Sequence, residues 1–350
     1  MDKGFWENKK VLVTGHSGFV GAWICAVLDC FGMDSYGFSL TEENGSIYGK
    51  IKSSLSTKCY YGDLRNYEDI AGCINSVKPD VVFHIAAFGF VKECFDDPNR
   101  AYSSNVQGTL NLFQALRETD FTGRIIVASS DKVYKNSGKE AYLFTEEDPL
   151  GGSDPYSSSK TCEDILAQSF FDTYLSNDKC SLCVVRPSNI LGGGDHNMNR
   201  LIPSIYYNLS NNKKPEIRNP DSVRPWQNIF DIVDAYLTVA ERVERGCVIY
   251  NVGPEEEGIK TVGEIAEYVS SLYGVQTISN DTELNRDSIE KGYLGLSINK
   301  IKRELGWRPK RTLEQTLKEI YDFYSKDDGK NTYDICMSQI KQYYEEEGEV

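Results

Sequence analysis

No stretch of this 350-residue sequence stays apolar for the roughly 20 residues that a membrane-spanning helix requires. The first ten residues, MDKGFWENKK, also lack the apolar segment of a secretory signal peptide. We therefore expect a cytoplasmic protein that has no membrane partner.

Positive charge is scarce as well. Lys and Arg together number 38 against 52 Asp and Glu, which gives a formal net charge of −14. Binding of nucleic acid needs a basic face that meets the phosphates, so this composition argues against nucleic acid as a partner. A small anionic ligand stays possible, provided that a few arginines gather at one place.

Histidine is rare too, with only His16, His84 and His196 in the chain. The ten cysteines are scattered without even spacing, which is typical of thiols in a reducing cytosol rather than of a disulfide framework. Cys180 and Cys183 form a C-x-x-C within the strand-like run CSLCVVR, but a zinc site would need two further ligands nearby. We therefore predict no metal site.

Apolar runs of strand length alternate with longer helical stretches through the first half of the chain. The pattern predicts strands near 10–14, 33–38, 58–61, 80–86, 124–129 and 181–186. It predicts helices near 18–31, 66–76, 98–117 and 156–174. Such alternation indicates an α/β fold with a doubly wound parallel sheet covered by helices on both faces. In the second half, KPEIRN and CVIYNVG resemble strands, and capping boxes at Thr261 and Thr312 predict helix starts.

The segment VLVTGHSGFVG (11–21) places Gly15, Gly18 and Gly21 between the first strand and the first long helix. Glycines there permit a tight turn and let the backbone approach a pyrophosphate, which then lies at the helix N-terminus. Because the strand–turn–helix context is present, the motif predicts a Rossmann-type dinucleotide site. We therefore expect a nucleotide-binding domain at 1–185 with returning elements near 227–252. A smaller substrate-binding lobe at 186–330 and a C-terminal helix with an acidic tail at 331–350 complete the chain.

The end of the second strand bears on the choice of cofactor. Ser39 stands where an acidic residue normally holds the adenosine ribose of NAD. However, no Lys or Arg lies between Gly21 and Lys50 that could meet the 2′-phosphate of NADP. We therefore predict NAD.

Tyr156 and Lys160, in DPYSSSK (154–160), are four residues apart near a helix start and so project from one face. A neighbouring ammonium favours the phenolate and lowers the pKa of a tyrosine, which otherwise lies near 10. Together with the hydroxyl of Ser130, at the end of the strand-like run IIVASS, this pattern indicates a base for alcohol oxidation. Asp131 and Lys132 follow directly, as either a solvated loop or a further catalytic pair.

The chain resembles the extended short-chain dehydrogenases that act on nucleotide sugars, and within them the CDP-glucose 4,6-dehydratases. The resemblance runs nearly end to end. Its shared segments include SSDKVYKN, DPLGGSDPYSSSKTCED, RPSNILGGGDHNMNRLIP, IRNPDSVRPWQNI and LGWRPKRTLEQTLKEI. Within these segments, GGGD and RPWQ are more specific than the general fold motifs.

The resemblance implies an NAD-dependent lyase. It would oxidise the sugar C4 hydroxyl, eliminate water across C5 and C6, and return the hydride to C6. It implies that Ser130, Tyr156 and Lys160 serve the oxidation, that Asp131 acts on the leaving hydroxyl, and that Lys132 acts at C5. The cofactor contacts that it implies, besides Tyr156 and Lys160, are Gly15, Ser17, Gly18, Phe19, Val20, Gly21, Ser39, Asp63, Leu64, Ala86 and Ala87. The substrate contacts that it implies are Asn189, Arg200, Leu201, Arg218, Arg224 and Asn251.

The match departs from the family in AAFGFVKECF (86–95), where such dehydratases read closer to A-A-Q-P-L-V-R-x-S-Y. Phe88, Gly89, Lys92, Cys94 and Phe95 replace their Gln, Pro, Arg, Ser and Tyr. His196 likewise stands after GGGD where Trp is usual. The resemblance therefore favours a CDP-hexose without fixing the sugar.

Two other functions stay open. A nucleotide-sugar 4-epimerase would share the C4 oxidation but would have no use for Asp131 and Lys132. A silent NAD-binding regulator would not need Ser130, Tyr156 and Lys160 together. The resemblance also implies a homodimer or homotetramer that pairs the helices near 98–117 and 156–174.

Overall fold

A parallel sheet of seven strands forms the centre of the computed structural model, which describes residues 1–136, 141–177, 179–215, 217, 219–275 and 292–345. The strands in chain order are β1 (Lys10–Thr14), β2 (Asp34–Ser39), β3 (Lys58–Tyr61), β4 (Val81–His84), β5 (Arg124–Ala128), β6 (Leu143–Phe144), β7 (Ser181–Pro187), β8 (Asn189–Leu191), β9 (Val223–Asn228), β10 (Gly246–Val252), β11 (Ile259–Thr261) and β12 (Gly295–Leu296).

The α-helices of the described residues follow in the same order. They are α1 (Lys3–Trp6), α2 (Phe19–Cys30), α3 (Ile47–Ile51), α4 (Tyr67–Val77), α5 (Val91–Asp96), α6 (Pro98–Tyr102), α7 (Gly108–Glu118), α8 (Pro155–Phe170), α9 (Leu201–Ser210), α10 (Ile229–Arg242), α11 (Val262–Leu272), α12 (Asn299–Leu305), α13 (Leu313–Lys326) and α14 (Thr332–Glu345).

The central sheet has the strand order β3-β2-β1-β4-β5-β7-β10, with every neighbouring pair parallel. Along β1, Val11 and Val13 pack into one hydrophobic cluster whereas Leu12 packs into another, as the alternation of side chains across a strand requires. The first cluster includes α2, α10 and α14, and the second includes α4, α7 and the end of α8. The prediction of a doubly wound sheet covered on both faces is confirmed.

The order of the strands reverses between β1 and β4, which are neighbours although β2 and β3 lie between them in sequence. In open α/β sheets, ligands bind in the crevice at the carboxyl ends of the strands at such a switch point. A smaller lobe faces the same ends. Its sheet, β11-β9-β8, packs with α9, α11 and α13 around a separate hydrophobic cluster.

The two long helices predicted near 98–117 and 156–174 both contain a π turn, at Ser103–Gln107 and Phe171–Leu175. In each case a threonine hydroxyl donates to the carbonyl four residues earlier: Thr109 to Asn105 at 2.7 Å and Thr173 to Ser169 at 2.7 Å. Such bonds compete with the regular helical pattern and bend a helix. A uniform helical period in the sequence does not predict them.

The second half follows the sequence in part. The strand expected at CVIYNVG is β10, and the capping boxes at Thr261 and Thr312 open α11 and α13. The described residues of KPEIRN do not form a strand, and two of its six positions lie outside the described residues. Of the helices in the described structure, none is long and apolar enough to cross a bilayer.

Candidate active site

The loop after β1 has the shape that a dinucleotide pyrophosphate requires. Gly15 adopts φ +74°, and its N–H donates to Phe38 O at 2.8 Å. A Cβ at Gly15 would lie 2.7 Å from the Cα of Ala86, and a Cβ at Gly21 would lie 2.2 Å from Gly15 O. Gly18 is the N-cap of α2, so the helix N-terminus opens onto this loop. The residues present therefore fit a bound dinucleotide.

The end of β2 carries hydroxyls rather than a carboxylate. Ser39 Oγ lies within hydrogen-bond distance of Ser17 Oγ, at 2.8 Å, and of Leu40 O, at 2.7 Å. The fold also brings Lys52, which lies just beyond the segment considered in the sequence, into an ion pair with Glu42. That ammonium faces a carboxylate, so it does not leave a basic patch for a 2′-phosphate.

The other predicted cofactor residues surround the same crevice. Phe19 and Val20 are half-buried at the start of α2. Asp63, just after β3, is held by Arg65 at 2.5 Å, and Leu64 O accepts from Asn111. Two further predicted contacts follow β4: Ala86 is half-buried and Ala87 is exposed.

Ser130 and Asp131 follow β5, where a 3₁₀ turn spans Asp131–Val133. Ser130 Oγ donates to Asp131 Oδ1 at 3.2 Å and accepts from the Lys132 N–H at 3.2 Å. Among the described residues, none makes a hydrogen bond to Asp131 Oδ2. Burial raises the pKa of Asp131 to about 6, although Lys132, Ser130 and Arg224 act in the opposite direction. Asp131 can therefore hold a proton close to neutral pH.

Tyr156, at the start of α8, is half-buried, and this burial raises its pKa to about 12. A hydrogen bond with Ser130 and the charge of Arg200 offset part of the shift, whereas the charges of Asp131 and Glu163 add to it. This differs from the lowered pKa that the spacing of Tyr156 and Lys160 predicts. The reason is burial, which the spacing does not report. The Lys160 ammonium, for its part, donates to Ala128 O at 2.7 Å and lies 2.5 Å from Glu163 Oε2.

Asp131 and Lys132 line a cleft of about 600 Å³, counting the part that is open to solvent. Arg224, on β9, lies in the wall together with Val91 and Leu294. Arg224 is buried, and its guanidinium donates to Val223 O at 2.8 Å. The cleft therefore offers a carboxyl, two cations and apolar surface.

Arg200 lies close enough for its charge to act on Tyr156, and it precedes Leu201 at the start of α9. Its guanidinium donates to Asp195 at 3.0 Å and stacks over the ring of Phe90 at 5.0 Å. Phe90 belongs to the segment that departs from the family.

The remaining predicted substrate contacts are not brought into one group. Asn189 begins β8 and is half-buried. The Asn251 amide donates to Phe144 O at 2.9 Å and to Ser297 O at 3.3 Å, and accepts from Tyr134 at 2.6 Å. Its side chain is fully buried and ties β10 to β6, so the structure gives it a structural role. Arg218 lies outside the described residues.

Sequence reasoning missed a buried polar network behind the predicted catalytic residues. Arg186 donates twice to Asp164, at 2.9 and 3.0 Å, and Ser129 Oγ donates to the same carboxylate at 2.7 Å. Arg186 also donates to Tyr134 at 3.0 Å. This network fixes α8 against β5 and β7, next to Ser130. The signal for this network in the sequence was a single arginine, Arg186, within an apolar strand-like run.

Comparison with known proteins gives consistent results. Residues 11–253 match the model of the NAD dependent epimerase/dehydratase family. A CDP-glucose 4,6-dehydratase of Salmonella typhimurium is 33% identical over 334 residues, covering 93% of this chain and 92% of that protein. A dTDP-glucose 4,6-dehydratase of Bacillus anthracis, solved in complex with NAD, has a TM-score of 0.78 at 26% identity and covers 91% of this chain and 97% of its own. A UDP-glucose 4-epimerase of Thermotoga maritima shares the fold, with a TM-score of 0.79 at 20% identity over 91% of this chain and 99% of its own.

Proposed function

The chain belongs to the NAD dependent epimerase/dehydratase family, within the extended short-chain dehydrogenases, and we propose that it is a nucleotide-sugar 4,6-dehydratase. The substrate that we infer is CDP-glucose, and the product is CDP-4-keto-6-deoxyglucose. The enzyme is thus a hydro-lyase.

The observation that carries the proposal is the placement of Asp131 and Lys132. Both line the cleft directly after Ser130, and the buried Asp131 has a pKa of about 6. Alcohol oxidation at C4 needs only Ser130, Tyr156 and Lys160. An acid and a base beside them are needed for a second step, the loss of water.

The residues divide the work as follows. Ser130 holds the C4 oxygen and, as a tyrosinate, Tyr156 takes the proton of the C4 hydroxyl. Once C4 is a ketone, the C5 proton is acidic enough for the neutral amine form of Lys132 to remove. Protonated Asp131 donates its proton to the C6 oxygen, which leaves as water. Proton transfer of this kind typically accelerates a step on the order of 10²–10⁴-fold.

NAD, when bound, would supply the hydride acceptor for C4 and the hydride donor for C6, and the Lys132 ammonium would return a proton to C5 as the hydride is added. The glycine loop with Gly15, Gly18 and Gly21 would hold its pyrophosphate, and Ser17 and Ser39 would meet the adenosine ribose. Lys160 lies near His84 at the end of β4 and bonds Ala128 at the end of β5, so Tyr156 and Lys160 would lie at the nicotinamide end.

Cations hold the nucleotide end of the substrate in this proposal. Arg224, on β9 of the smaller lobe, lines the cleft, and Arg200 is the N-cap of α9 in the same lobe. Guanidinium groups suit phosphate oxygens because they can donate two parallel hydrogen bonds. The choice of cytidine rests on the 33% identity to the Salmonella enzyme.

The test is incubation of the purified holoenzyme with CDP-glucose, with UDP-glucose, GDP-mannose and dTDP-glucose in parallel. Formation of the 4-keto-6-deoxy sugar from CDP-glucose supports the proposal. Appearance of the C4 epimer instead would make the protein an epimerase. If protein that retains NAD forms neither product from any of the four substrates, the alternative that remains is a catalytically silent NAD-binding regulator.

We also propose that the protein forms a homodimer or homotetramer in a reducing cytosol. Tyr102, Ile165 and Tyr174, in and just after the helices α6 and α8, expose 40%, 52% and 51% of their surface, which an apolar helix pairing would cover. All ten cysteines are free thiols, which fits a reducing compartment.

A further inference from the structure

Helix α8 carries a third ionisable residue in line with Tyr156 and Lys160. Glu163 follows Lys160 by three residues and Tyr156 by seven, so the three side chains share one helix face. Nothing in the dehydration mechanism above uses Glu163. Its carboxyl is nevertheless among the most deeply buried acidic groups of the described structure.

The contact between Glu163 and Lys160 is close and enclosed. Lys160 Nζ lies 2.5 Å from Glu163 Oε2, with the two side chains only 2% and 1% exposed. Among the described residues, none donates a hydrogen bond to Glu163 Oε1. A second N–H of Lys160 is held by Ala128 O at 2.7 Å. One N–H is thus left for the substrate side.

The charged groups around this pair come from several elements. On α8 itself, Asp164 adds negative charge but is neutralised by Arg186 of β7. On β4, His84 is bonded through both ring nitrogens, to Thr14 at 2.7 Å and Thr109 at 2.8 Å. Its pKa is lowered to about 3 by burial and by Lys160, so it stays neutral.

Three further groups face Tyr156. They are Asp131 after β5, Arg200 before α9 and the phenol of Tyr236 on α10. None of them replaces Glu163 as the anion beside Lys160.

We propose that Glu163 is a positioning residue: through its ion pair with Lys160 it sets the pH range over which the Tyr156–Lys160 pair oxidises the substrate. While Glu163 is charged, its ion pair keeps the Lys160 ammonium away from Tyr156, and its negative charge disfavours the tyrosinate. When Glu163 is protonated, the ammonium is released toward Tyr156. Burial raises the pKa of Glu163 to about 7, which places this change in the working range of a cytoplasmic enzyme.

The size of the effect follows from the helix geometry. Seven residues span about 10 Å along the axis, and at an effective dielectric constant of about 20 one charge at that distance shifts a pKa by about one unit. The variant Glu163→Gln removes the charge and keeps the shape. The midpoint of the Tyr156 titration should then fall by about one pH unit. The acid limb of the pH profile of C4 oxidation should shift to lower pH by the same amount.

The experiment is a difference titration of the tyrosinate absorbance of the holoenzyme, with Tyr156→Phe subtracted in each background, alongside the pH profile. Glu163→Asp keeps the charge and should keep the wild-type midpoint. Cys162→Ser, on the exposed side of α8, is the matched control and should change neither readout. If E163Q is not recovered folded, Glu163→Met serves in its place.

An E163Q enzyme that loses thermal stability but keeps the wild-type midpoint and profile would overturn the proposal, because Glu163 would then be structural only. Only one of the two readouts, the pH profile of C4 oxidation, rests on the proposed dehydratase function. The tyrosinate titration needs no substrate, so it decides the role of Glu163 even if CDP-glucose is not turned over.

Discussion

Asp131→Asn should make the protein more stable while blocking its chemistry. The folded state raises the pKa of Asp131 from 3.8 to about 6 by burying it. Between these pH values the folded protein binds more protons than the unfolded chain, so the stability of the wild type falls as pH rises through this window. Asparagine carries no charge and escapes this loss.

The magnitude follows from the shift. A difference of about two pKa units corresponds to about 3 kcal/mol above pH 6, and this is an upper limit because Lys132 loses a neighbouring anion. For 350 residues, an unfolding entropy of about 2.1 cal/mol/K per residue converts 3 kcal/mol into a rise in Tm of about 4 °C. Below about pH 4 the Asp131 carboxyl is protonated in both states, so the gain should vanish.

The assay is the Tm of wild type and D131N from about pH 4 to pH 8, with the exposed Asp172→Asn as control. The same D131N sample should still oxidise C4 but should eliminate water on the order of 10²–10⁴-fold more slowly. A Tm difference that stays the same at every pH would contradict the burial argument. Normal dehydration by D131N would remove Asp131 from the acid role.

Three further outcomes are expected. The Lys132→Ala variant should oxidise C4 but should not eliminate water. The absorbance of the reduced nicotinamide should then persist, and exchange of the C5 hydrogen with solvent should be slow. An unchanged rate of reaction would favour the epimerase. Tyr156→Phe should retain NAD but lose C4 oxidation, and residual turnover above about a tenth of wild type would remove Tyr156 from the base role, since such bases contribute on the order of 10²-fold or more. Sedimentation at micromolar concentration should show a dimer or tetramer, and a monomer would refute the proposed helix pairing.

Local patterns in the sequence were sufficient for the elements that carry the cofactor. These features are the glycine loop, the strands around it and the capping boxes at Thr261 and Thr312. Each depends on neighbours within a few residues, so the local sequence predicts it. The spacing of Tyr156 and Lys160 likewise places both on one helix face.

What the sequence could not give were pairings set by tertiary packing. Asp164 and Arg186 are 22 residues apart and meet only because α8 packs on β7. Asn251 was predicted to face the substrate, but its amide is taken up by backbone groups far away in sequence. The pKa of Tyr156 was predicted to fall because of Lys160, whereas burial, which no local pattern reports, raises it to about 12.

Burial joins these observations to the proposed chemistry. Two lysine–carboxyl pairs flank Tyr156: Asp131 with Lys132 beside the cleft, and Glu163 with Lys160 inside α8. Exposed carboxyls lose their protons near pH 4, too low to donate one to a leaving hydroxyl at neutral pH. Burial raises the pKa of Asp131 to about 6 and that of Glu163 to about 7, and it thereby costs the fold stability above those values. When the surroundings of two neighbouring ionisable groups push their pKa values apart, one group can act as the acid and the other as the base. The cost of the charged Asp131 to the stability of the folded protein and the acid role that we propose for Asp131 therefore have a single cause, its burial. A substitution that removes the cost should also remove the acid.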